Sequence, residues 1–429
     1  MRTYLYIDNF RGFQDEVVPI SQVNFLVGEN STGKSSFLEL IETFFGMQFW
    51  LFEPRYGAPG TPEKHFLDLV SASSNRKRRF TIGAIEIHPK DNSKHRGIIV
   101  DFVNLDGRPV PARVTLLRLG SMRTVDGNLW RSEREEKYRA RISPLEMQGS
   151  LIVHEYVRKI AHAHRKNTKF QPQEIGIERA MQPIFMRFDS FFFDSISIEA
   201  RHVEVPFPFL SSLVELAPIR SRPRRTYDTP QTAFNAEGEH VPYVIKKRLT
   251  GKRADSFRRF IENAGESSGL FRTIRLKQYG VEQRAPFEIH IVLDSTALSV
   301  ESVGYGVSQA LPLLVEMFDR PEQTAYALQQ PEVHLHPRAQ ATFGDLFAVL
   351  ARDEEKRFFV ETHSDFTIDR FRLNIRNHGE ISSQLLFFQR KAGKNCVTPI
   401  KIDSHGNLDD NQPDEYRKFF FNESLAVLG

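Results

Sequence analysis

The feature that most constrains this chain is the stretch 28–35, which reads Gly-Glu-Asn-Ser-Thr-Gly-Lys-Ser. An apolar run over 23–27 precedes it, and helix-spaced apolar residues over 35–45 follow it. A strand, a glycine-containing loop and a helix in this order are the setting of a phosphate-binding P-loop. The glycines let the backbone wrap round a phosphate, and the N–H groups at the helix start face the anion. The stretch therefore predicts a site for a nucleoside triphosphate with magnesium.

Two residues of this loop have predicted contacts of their own. We expect Lys34 to reach the β- and γ-phosphates and Ser35 to ligate Mg²⁺. The alternative is a glycine turn that matches the pattern by chance. The strand-like and helix-like segments on either side argue against that alternative.

Composition limits the class of protein. The chain has 429 residues, 40% hydrophobic and 26% charged, as in a soluble protein of two or three structural units. No uncharged apolar stretch is long enough for a transmembrane helix, and Asp8 comes too early for a secretory signal peptide. Cys396 is the one cysteine, so no intrachain disulfide can form. These features predict a cytoplasmic protein that does not contact a membrane.

The charge of the chain permits a nucleic-acid partner without requiring one. The net charge is +4, and basic residues cluster at 76–79, 220–225 and 246–253. Each run is either a solvated surface or a surface that binds phosphate. DNA therefore stays open as a partner.

The C-terminal third contains a second predicted anion site. Over 303–314, a turn with the order Gly-Tyr-Gly-Val-Ser-Gln leads into an apolar helix with Ser308 and Gln309 at its start. Helix N-termini bind anions, and the alternative for Ser308 is a plain N-cap. Farther on, strand-like runs at 324–328 and 357–361 each pass through a polar turn into a helix. This repeat predicts a parallel sheet with sites at the C-terminal strand ends.

The order of these motifs resembles that of ABC-class ATPase heads, the group that includes SMC and RecF-like proteins. The motifs are the P-loop, the turn at 304–309, Gln-Gln-Pro-Glu-Val-His-Leu-His-Pro at 329–337 and Glu-Thr-His-Ser-Asp at 361–365. The His-Leu-His-Pro form is most similar to OLD-like bacterial ATPases, including those of Septu- and PARIS-type antiphage systems. The resemblance covers residues 1–90 and 290–380.

The resemblance implies an α/β fold: a P-loop NTPase head of ABC type with a mostly parallel sheet, an antiparallel β-subdomain and an inserted helical arm. Strand-like segments at 80–87, 97–105 and 114–119 fit the β-subdomain. The charged segment 130–163 lacks a heptad repeat and fits a compact helical arm, and 262–268 is predicted to be a flexible loop. The expected divisions are a head lobe over 1–125, an arm and connector over 126–285, and a second head lobe over 286–429.

In the family that this chain resembles, two heads dimerise head to tail. Each ATP lies between the P-loop of one subunit and the signature turn of the other. Carried over to this chain, Gly306, Ser308 and Gln309 contact the γ-phosphate held by a partner, and His363 senses that phosphate. A homodimer is therefore implied, and a higher oligomer stays open. The residues implied to bind ATP from the P-loop side are Arg11, Gly28, Asn30, Ser31, Thr32, Gly33, Lys34, Ser35 and Ser36.

This chain departs from the family where the strand at 324–328 ends. Two acidic residues are usual there, one for magnesium and one for the attacking water, but the chain has Gln329 and Gln330. A glutamine can hold a water but cannot take its proton. The nearest carboxylates are Glu332 and Glu361, and we expect Glu332 to supply the missing charge. Hydrolysis is then predicted to be slow, with Glu332, Gln330 and His363 as the catalytic set and Gln329 beside Ser35 as a magnesium ligand.

A zinc site is the alternative interpretation of the histidines. His334 and His336 are two residues apart, and His363 and Glu332 complete a set of four. This spacing is a weak metal pattern. Nucleotide sensing or packing explains these residues better in turns that follow strands.

Taken together, the motifs predict an ATP-dependent dimeric switch that regulates an effector, a nuclease or toxin encoded nearby, in bacterial antiphage defence. No acidic cluster with the length of a Toprim nuclease domain follows Asp365, so the effector chemistry would come from the partner. The alternative is a RecF-like DNA-binding ATPase in DNA repair. A stand-alone kinase is a third interpretation, which the second phosphate-facing turn argues against.

Overall fold

The chain forms two compact units in the computed structural model, which describes residues 2–45, 64–72, 78–126, 137–145, 152–167, 169–174, 212–282, 285–410 and 412–416. The first unit contains Met1–Ser21, Gly28–Leu210 and Phe387–Pro399. The second contains Gln22–Val27, Ser211–Leu386 and Ile400–Gly429. The predicted divisions at 125/126 and 285/286 stay a prediction.

Within the described residues, the strands and helices have the following bounds. The strands are β1 (Arg2–Asp8), β2 (Glu16–Ile20), β3 (Val23–Gly28), β4 (Arg79–Ile87), β5 (Arg96–Leu105), β6 (Arg108–Arg118), β7 (Ser121–Asp126), β8 (Lys137–Pro144), β9 (Gln171–Glu174), β10 (Leu213–Leu216), β11 (Thr273–Gln278), β12 (Phe287–Leu293), β13 (Thr296–Ser299), β14 (Ala325–Gln329), β15 (Arg357–Glu361), β16 (Ser383–Lys391) and β17 (Lys394–Ile402). The helices are α1 (Lys34–Phe45), α2 (Phe66–Leu69), α3 (Val153–His164), α4 (Val241–Thr250), α5 (Ala254–Ser268), α6 (Tyr305–Asp319), α7 (Pro337–Asp353) and α8 (Asp365–His378).

The first unit is built on an eight-stranded sheet in the order β2-β1-β4-β5-β6-β7-β8-β9. Every neighbouring pair in it is antiparallel, which confirms the predicted antiparallel β-subdomain. Apolar residues on one side of α3, including Tyr156, Val157 and Ile160, lie in one buried cluster with Tyr6 and Ile99 of the sheet. The burial of this amphipathic helix face anchors α3 to the sheet.

The second unit contains the parallel sheet that the repeat of strands and helices predicts. Strands β10, β14, β15 and β3 are consecutive neighbours in a six-stranded sheet, and each pair is parallel. β16 and β17 complete this sheet, and the chain passes between the two units within β3, β16 and β17. Every residue of β3 is buried, as expected for a central strand that is covered on both faces.

Two segments differ from the prediction. Residues 137–144, expected to be part of a helical arm, form β8, which pairs with β7 and β9 on its two sides. Residues 262–268, expected to be a flexible loop, form the end of α5, whose buried face includes Phe257 and Ile261 and which ends at Gly269 with φ of +69°. Backbone pairing in β8 and apolar burial in α5 outweigh the local preferences of these charged segments.

Among the described residues, no helix is both long enough and apolar enough to span a bilayer.

Candidate nucleotide-binding site

The P-loop follows β3 as predicted, and its backbone requires glycine at both ends. Gly28 has φ of +136° and Gly33 has φ of +100°, values that side chains rarely adopt. A Cβ atom on Gly28 would lie 2.2 Å from the carbonyl oxygen of Phe388, and one on Gly33 would lie 2.6 Å from Nδ2 of Asn395. Phe388 and Asn395 therefore confine the loop to a narrow space. A side chain at Gly28 or Gly33 would displace one of these residues.

Lys34 is the buried charge of this loop. Its side chain is 4% exposed, and Nζ donates hydrogen bonds to the carbonyl oxygens of Gly28 at 2.9 Å and Glu29 at 2.7 Å. The hydroxyl of Thr32 donates to the Glu29 carbonyl at 2.7 Å and closes the turn. The ammonium group thus lies across the loop that the sequence predicts to hold phosphate. A positive charge at a glycine-rich turn before a helix is the arrangement that binds polyphosphate.

A short turn near the N-terminus supports the same loop. Nδ2 of Asn395 donates to the Arg11 carbonyl at 2.8 Å, and the Asn395 side chain also lies against Gly33. The Arg11 guanidinium forms an ion pair with Glu39 of α1, and Lys64 binds the other oxygen of Glu39 at 2.7 Å. Arg11 is therefore tied to the helix that follows the P-loop, and its predicted contact with ATP stays a prediction.

The polar residues predicted from the C-terminal third gather at adjacent strand ends of the second unit. Leu26 of β3 is paired with Glu361 of β15, and Glu361 is paired with Gln329 of β14. The backbone N–H of Gln330 donates to the Glu361 carbonyl at 2.8 Å, and Gln330 has φ of +43°. The structure thus brings together Gln329, Gln330 and Glu361, one of the two candidate carboxylates.

Glu332 is the other candidate carboxylate, and it is fixed to the segment that carries His363. Its Oε1 accepts a hydrogen bond from the backbone N–H of His363 at 2.6 Å, while His363 itself is exposed. Burial raises the pKa of Glu332, and the His363 N–H opposes that rise. A half-buried carboxylate with a raised pKa is the kind of group that serves as a general base.

The turn at 304–309, predicted to be the signature turn, begins a helix earlier than the sequence suggests. α6 begins at Tyr305 with Gly304 as its N-cap, so Ser308 and Gln309 lie inside the first turns and Ser308 is not the cap. Ser308 Oγ donates to the Tyr305 carbonyl at 2.7 Å, and Gln309 Oε1 accepts from the backbone N–H of Arg220 at 3.3 Å. Gly304 and Tyr305 are the exposed part of the turn. The role of Ser308 and Gln309 toward a partner's phosphate stays a prediction.

Gly306 has a packing role that the sequence did not indicate. A Cβ atom there would lie 3.1 Å from the His334 carbonyl oxygen. The rings of Tyr305 and His334 are in edge-to-face contact, with centroids 4.8 Å apart. The signature turn and the turn after β14 therefore lie against each other within one unit.

The histidines have individual packing and capping contacts. His336 is the N-cap of α7, and its Nδ1 accepts from the backbone N–H of Arg338 at 3.3 Å. Among the described residues, no group of three or more His, Cys, Asp or Glu side chains is arranged to hold a metal ion.

Arg220 lies in the same region, although its sequence motif does not predict a place in the site. It is 1% exposed, and the negative charge of Glu332 acts on its guanidinium against the effect of burial. In the sequence, Arg220 ends the run Leu-Ala-Pro-Ile-Arg at 216–220, four residues past the end of β10. Binding sites often lie past the C-terminal ends of parallel strands, so this position could have indicated Arg220 as a site residue.

Two family models match the chain. Residues 1–170 match the model described as AAA ATPase domain, and residues 180–369 match the model described as AAA domain, putative AbiEii toxin, Type IV TA system. Both halves of the chain are similar to AAA-type ATPase domains. No curated protein sequence matches the chain.

Solved structures of SMC heads are similar to the chain at low sequence identity. An SMC head bound to the C-winged helix domain of ScpA is 11% identical, with 93% of this chain and 97% of that chain covered and a TM-score of 0.47. The SMC head domain from Thermotoga maritima is 12% identical, with 93% and 99% covered and a TM-score of 0.40. An SMC head with an extended coiled coil from Pyrococcus furiosus, bound to the C-terminal domain of ScpA, is 11% identical, with 99% and 100% covered and a TM-score of 0.44.

Proposed function

We propose that this chain binds ATP at its P-loop and works as an ATP-driven dimerising switch that regulates a partner effector, a nuclease or toxin, in bacterial antiphage defence. The observation that carries the proposal is the buried Lys34 ammonium within a loop whose Gly28 and Gly33 have positive φ. Such a loop offers both the charge and the backbone donors that a triphosphate needs. Similarity of both halves to AAA-type ATPase domains supports the ATPase part.

Dimerisation follows from the division of the phosphate contacts between two copies. One copy would hold the triphosphate with its P-loop, and the partner would present the turn that contains Gly306, Ser308 and Gln309. The charge of ATP needs donors on both sides once water is excluded, so the triphosphate would complete the interface. The exposed Gly304 and Tyr305 leave this turn accessible to a second copy.

Hydrolysis in this proposal depends on Glu332. Gln330 would hold the attacking water, Glu332 would take its proton, and His363 would sense the γ-phosphate. Mg²⁺ would compensate phosphate charge, with Ser35 and Gln329 as its proposed ligands. The amides at 329 and 330 provide no negative charge, and slow turnover is the expected consequence.

A role in defence rests on two supports. The second matching model carries the words putative AbiEii toxin, Type IV TA system in its description. The His-Leu-His-Pro segment at 334–337 is similar to that of OLD-like ATPases of antiphage systems. Both favour a switch that acts with an effector over a DNA-repair ATPase.

ATP-dependent dimerisation is the test. The molar mass of the purified chain is measured by light scattering with and without ATP, for the wild type and for Lys34→Ala. We expect the wild type to dimerise with ATP and Lys34→Ala to stay a monomer. Lys246→Ala is the matched control, because its Nζ also binds a backbone carbonyl, that of Ala285, at 2.9 Å. A wild type whose mass does not respond to ATP contradicts the switch, and salt-sensitive binding of duplex DNA by the chain alone would favour DNA repair.

A further inference from the structure

Arg220 is a buried cation whose guanidinium lacks hydrogen bonds. It is 1% exposed, and among the described residues none accepts a hydrogen bond from its Nε, Nη1 or Nη2. Burial lowers the pKa of this arginine to about 10, against the attraction of Glu332. A guanidinium is normally buried only with partners, because removal of its hydration costs several kcal/mol. Its position therefore requires an explanation beyond packing.

Two more buried atoms near Arg220 also lack partners in the described part of the chain. They are Nε2 of Gln309, on the helix of the signature turn, and Oε2 of Glu332, the proposed general base. Gln309 is linked to Arg220 directly, because its Oε1 accepts from the Arg220 backbone N–H at 3.3 Å. Three elements of the second unit, namely the segment after β10, α6 and the turn after β14, thus each carry buried polar atoms without hydrogen-bond partners among the described residues. The Gln309 bond and the charge of Glu332 link the last two elements to Arg220.

The chemistry of these atoms is complementary. Arg220 and Gln309 offer donors, and Glu332 offers an acceptor whose other oxygen already accepts from the His363 N–H. The Arg220 guanidinium does not donate a hydrogen bond to Glu332 in the described residues, so their attraction acts across a gap. A bridging water would give Oε2 of Glu332 and the Arg220 guanidinium a shared hydrogen-bond partner.

We propose that Arg220 is a positioning residue for ATP hydrolysis, which holds the Glu332 carboxylate in place and links it to the signature helix through Gln309. The inference rests on the proposed ATPase function and adds a residue to it. Movement of α6 on dimerisation would pass through Gln309 and Arg220 to the carboxylate that activates water. Arg220 touches neither ATP nor water in this role, so it acts only through Glu332.

The rate of hydrolysis, measured at unchanged stability, separates this role from a structural one. Replacing a buried, unpaired cation by an apolar side chain of similar length is often neutral or stabilising. A purely structural Arg220 therefore predicts that Arg220→Met keeps or raises the melting temperature and leaves hydrolysis unchanged. A positioning Arg220 predicts the same stability but slower hydrolysis.

The experiment measures ATP affinity, single-turnover hydrolysis and melting temperature for the wild type, Arg220→Met, Arg220→Lys and Arg222→Met. We expect Arg220→Met to slow hydrolysis by about 10-fold or more, with ATP affinity unchanged within about 2-fold. Arg220→Lys should recover part of the rate, because it keeps the charge without the planar fork. Arg222→Met is the matched control, since Arg222 is an exposed arginine two residues away, and it should match the wild type.

A double variant tests whether Arg220 acts through Glu332. In the Glu332→Gln background, Arg220→Met should not slow the residual hydrolysis further, since the carboxylate it positions is gone. A further 10-fold loss in that background overturns the inference, as does a wild-type rate in Arg220→Met.

If Arg220→Met does not fold, Arg220→Lys decides. A wild-type rate in Arg220→Lys overturns the inference, and a folded Arg220→Lys slowed at least about 3-fold at unchanged ATP affinity supports it. A wild-type chain that hydrolyses no ATP overturns both the proposed ATPase and this inference, whereas an active wild type with an equally active Arg220→Met overturns only the latter.

Discussion

Glu332 and His363 are joined by a hydrogen bond in which the backbone N–H of His363 donates to Oε1 of Glu332 at 2.6 Å. The two residues follow different strands, β14 and β15, which are parallel neighbours. A shift of the main chain at His363 therefore changes the position of the Glu332 carboxylate. In the proposed mechanism, this bond couples the residue that senses the γ-phosphate to the residue that activates water.

Glu332→Gln should remove hydrolysis and keep ATP binding. The amide oxygen can still accept from the His363 N–H, so the local structure is kept, but the amide cannot take a proton. We expect hydrolysis to slow at least about 100-fold, the usual contribution of a general base. ATP affinity and single-turnover hydrolysis of the purified chain provide the two measurements.

Glu361→Gln is the variant that tests the other candidate carboxylate. Glu361 is buried at the end of β15, and its backbone carbonyl, which the substitution leaves intact, accepts from Gln330. A smaller loss in Glu361→Gln than in Glu332→Gln agrees with the assignment. If Glu361→Gln is the slower of the two, the general base is Glu361 and the assignment of Glu332 is wrong.

Gly28→Ala should prevent the P-loop from forming. The new Cβ would lie 2.2 Å from the Phe388 carbonyl oxygen, and the residue would keep φ of +136°. Steric overlap and backbone strain together cost about 3 kcal/mol or more. We expect a lower free energy of unfolding, measured with urea, and loss of ATP binding.

Gly393→Ala is the matched control for this substitution. Gly393 has φ of +77°, but nothing lies within 4 Å of its would-be Cβ. The substitution should therefore cost only the backbone strain, about 1 kcal/mol, and should leave ATP affinity unchanged. Equal losses in Gly28→Ala and Gly393→Ala would show that contact with Phe388 does not shape the loop.

The P-loop and the parallel strands could be predicted from the sequence because their signals are local. The strand predicted at 357–361 has the bounds of β15, and the apolar run before the loop forms the buried β3. Each is a short apolar run, and Gly28 marks the turn that ends β3. A central parallel strand is buried on both faces, so its pattern does not depend on which partner it meets.

The placement of Arg220 and Glu332 in the same region could not be predicted, because it depends on the order of the strands in the sheet. Arg220 follows β10 and Glu332 follows β14, and these strands are paired in parallel although more than a hundred residues separate them in sequence. The same limit explains residues 137–144. Their charged composition favours a helix, but pairing with β7 and β9, which the sequence does not reveal, makes them a strand.

Arg11→Ala should weaken ATP binding more than Glu39→Gln does. Arg11 forms an ion pair with Glu39 of α1, so both substitutions remove this pair. Only Arg11→Ala also removes a cation predicted to contact ATP, and a charged hydrogen bond to phosphate corresponds to about 10-fold in affinity. We expect Arg11→Ala to raise the dissociation constant for ATP by that factor, with a much smaller change in Glu39→Gln. Equal changes in the two variants would mean that Arg11 only anchors α1.

A buried histidine in the first unit should make stability depend on pH. His164 ends α3 and has no exposed surface, and its Nδ1 lies 2.7 Å from the hydroxyl of Thr115. Its Nε2 lies 3.2 Å from Asp101, which is also buried. Burial lowers the pKa of His164, so the folded chain holds this imidazole neutral at pH values where an unfolded chain protonates it.

The folded chain should therefore lose stability as the pH falls below about 6.5, the pKa of an unfolded histidine. In that range the unfolded state takes up a proton at His164 that the folded state does not, and the loss approaches about 1.4 kcal/mol per pH unit until the folded pKa is reached. Urea unfolding of the wild type at pH 7.5, 6.5 and 5.5 should show this slope, and His164→Gln should reduce it. His378→Gln, at an exposed histidine that ends α8, should keep the wild-type slope. If the wild type and His164→Gln lose stability equally between pH 6.5 and 5.5, another group binds the proton and His164 is not held neutral by the fold.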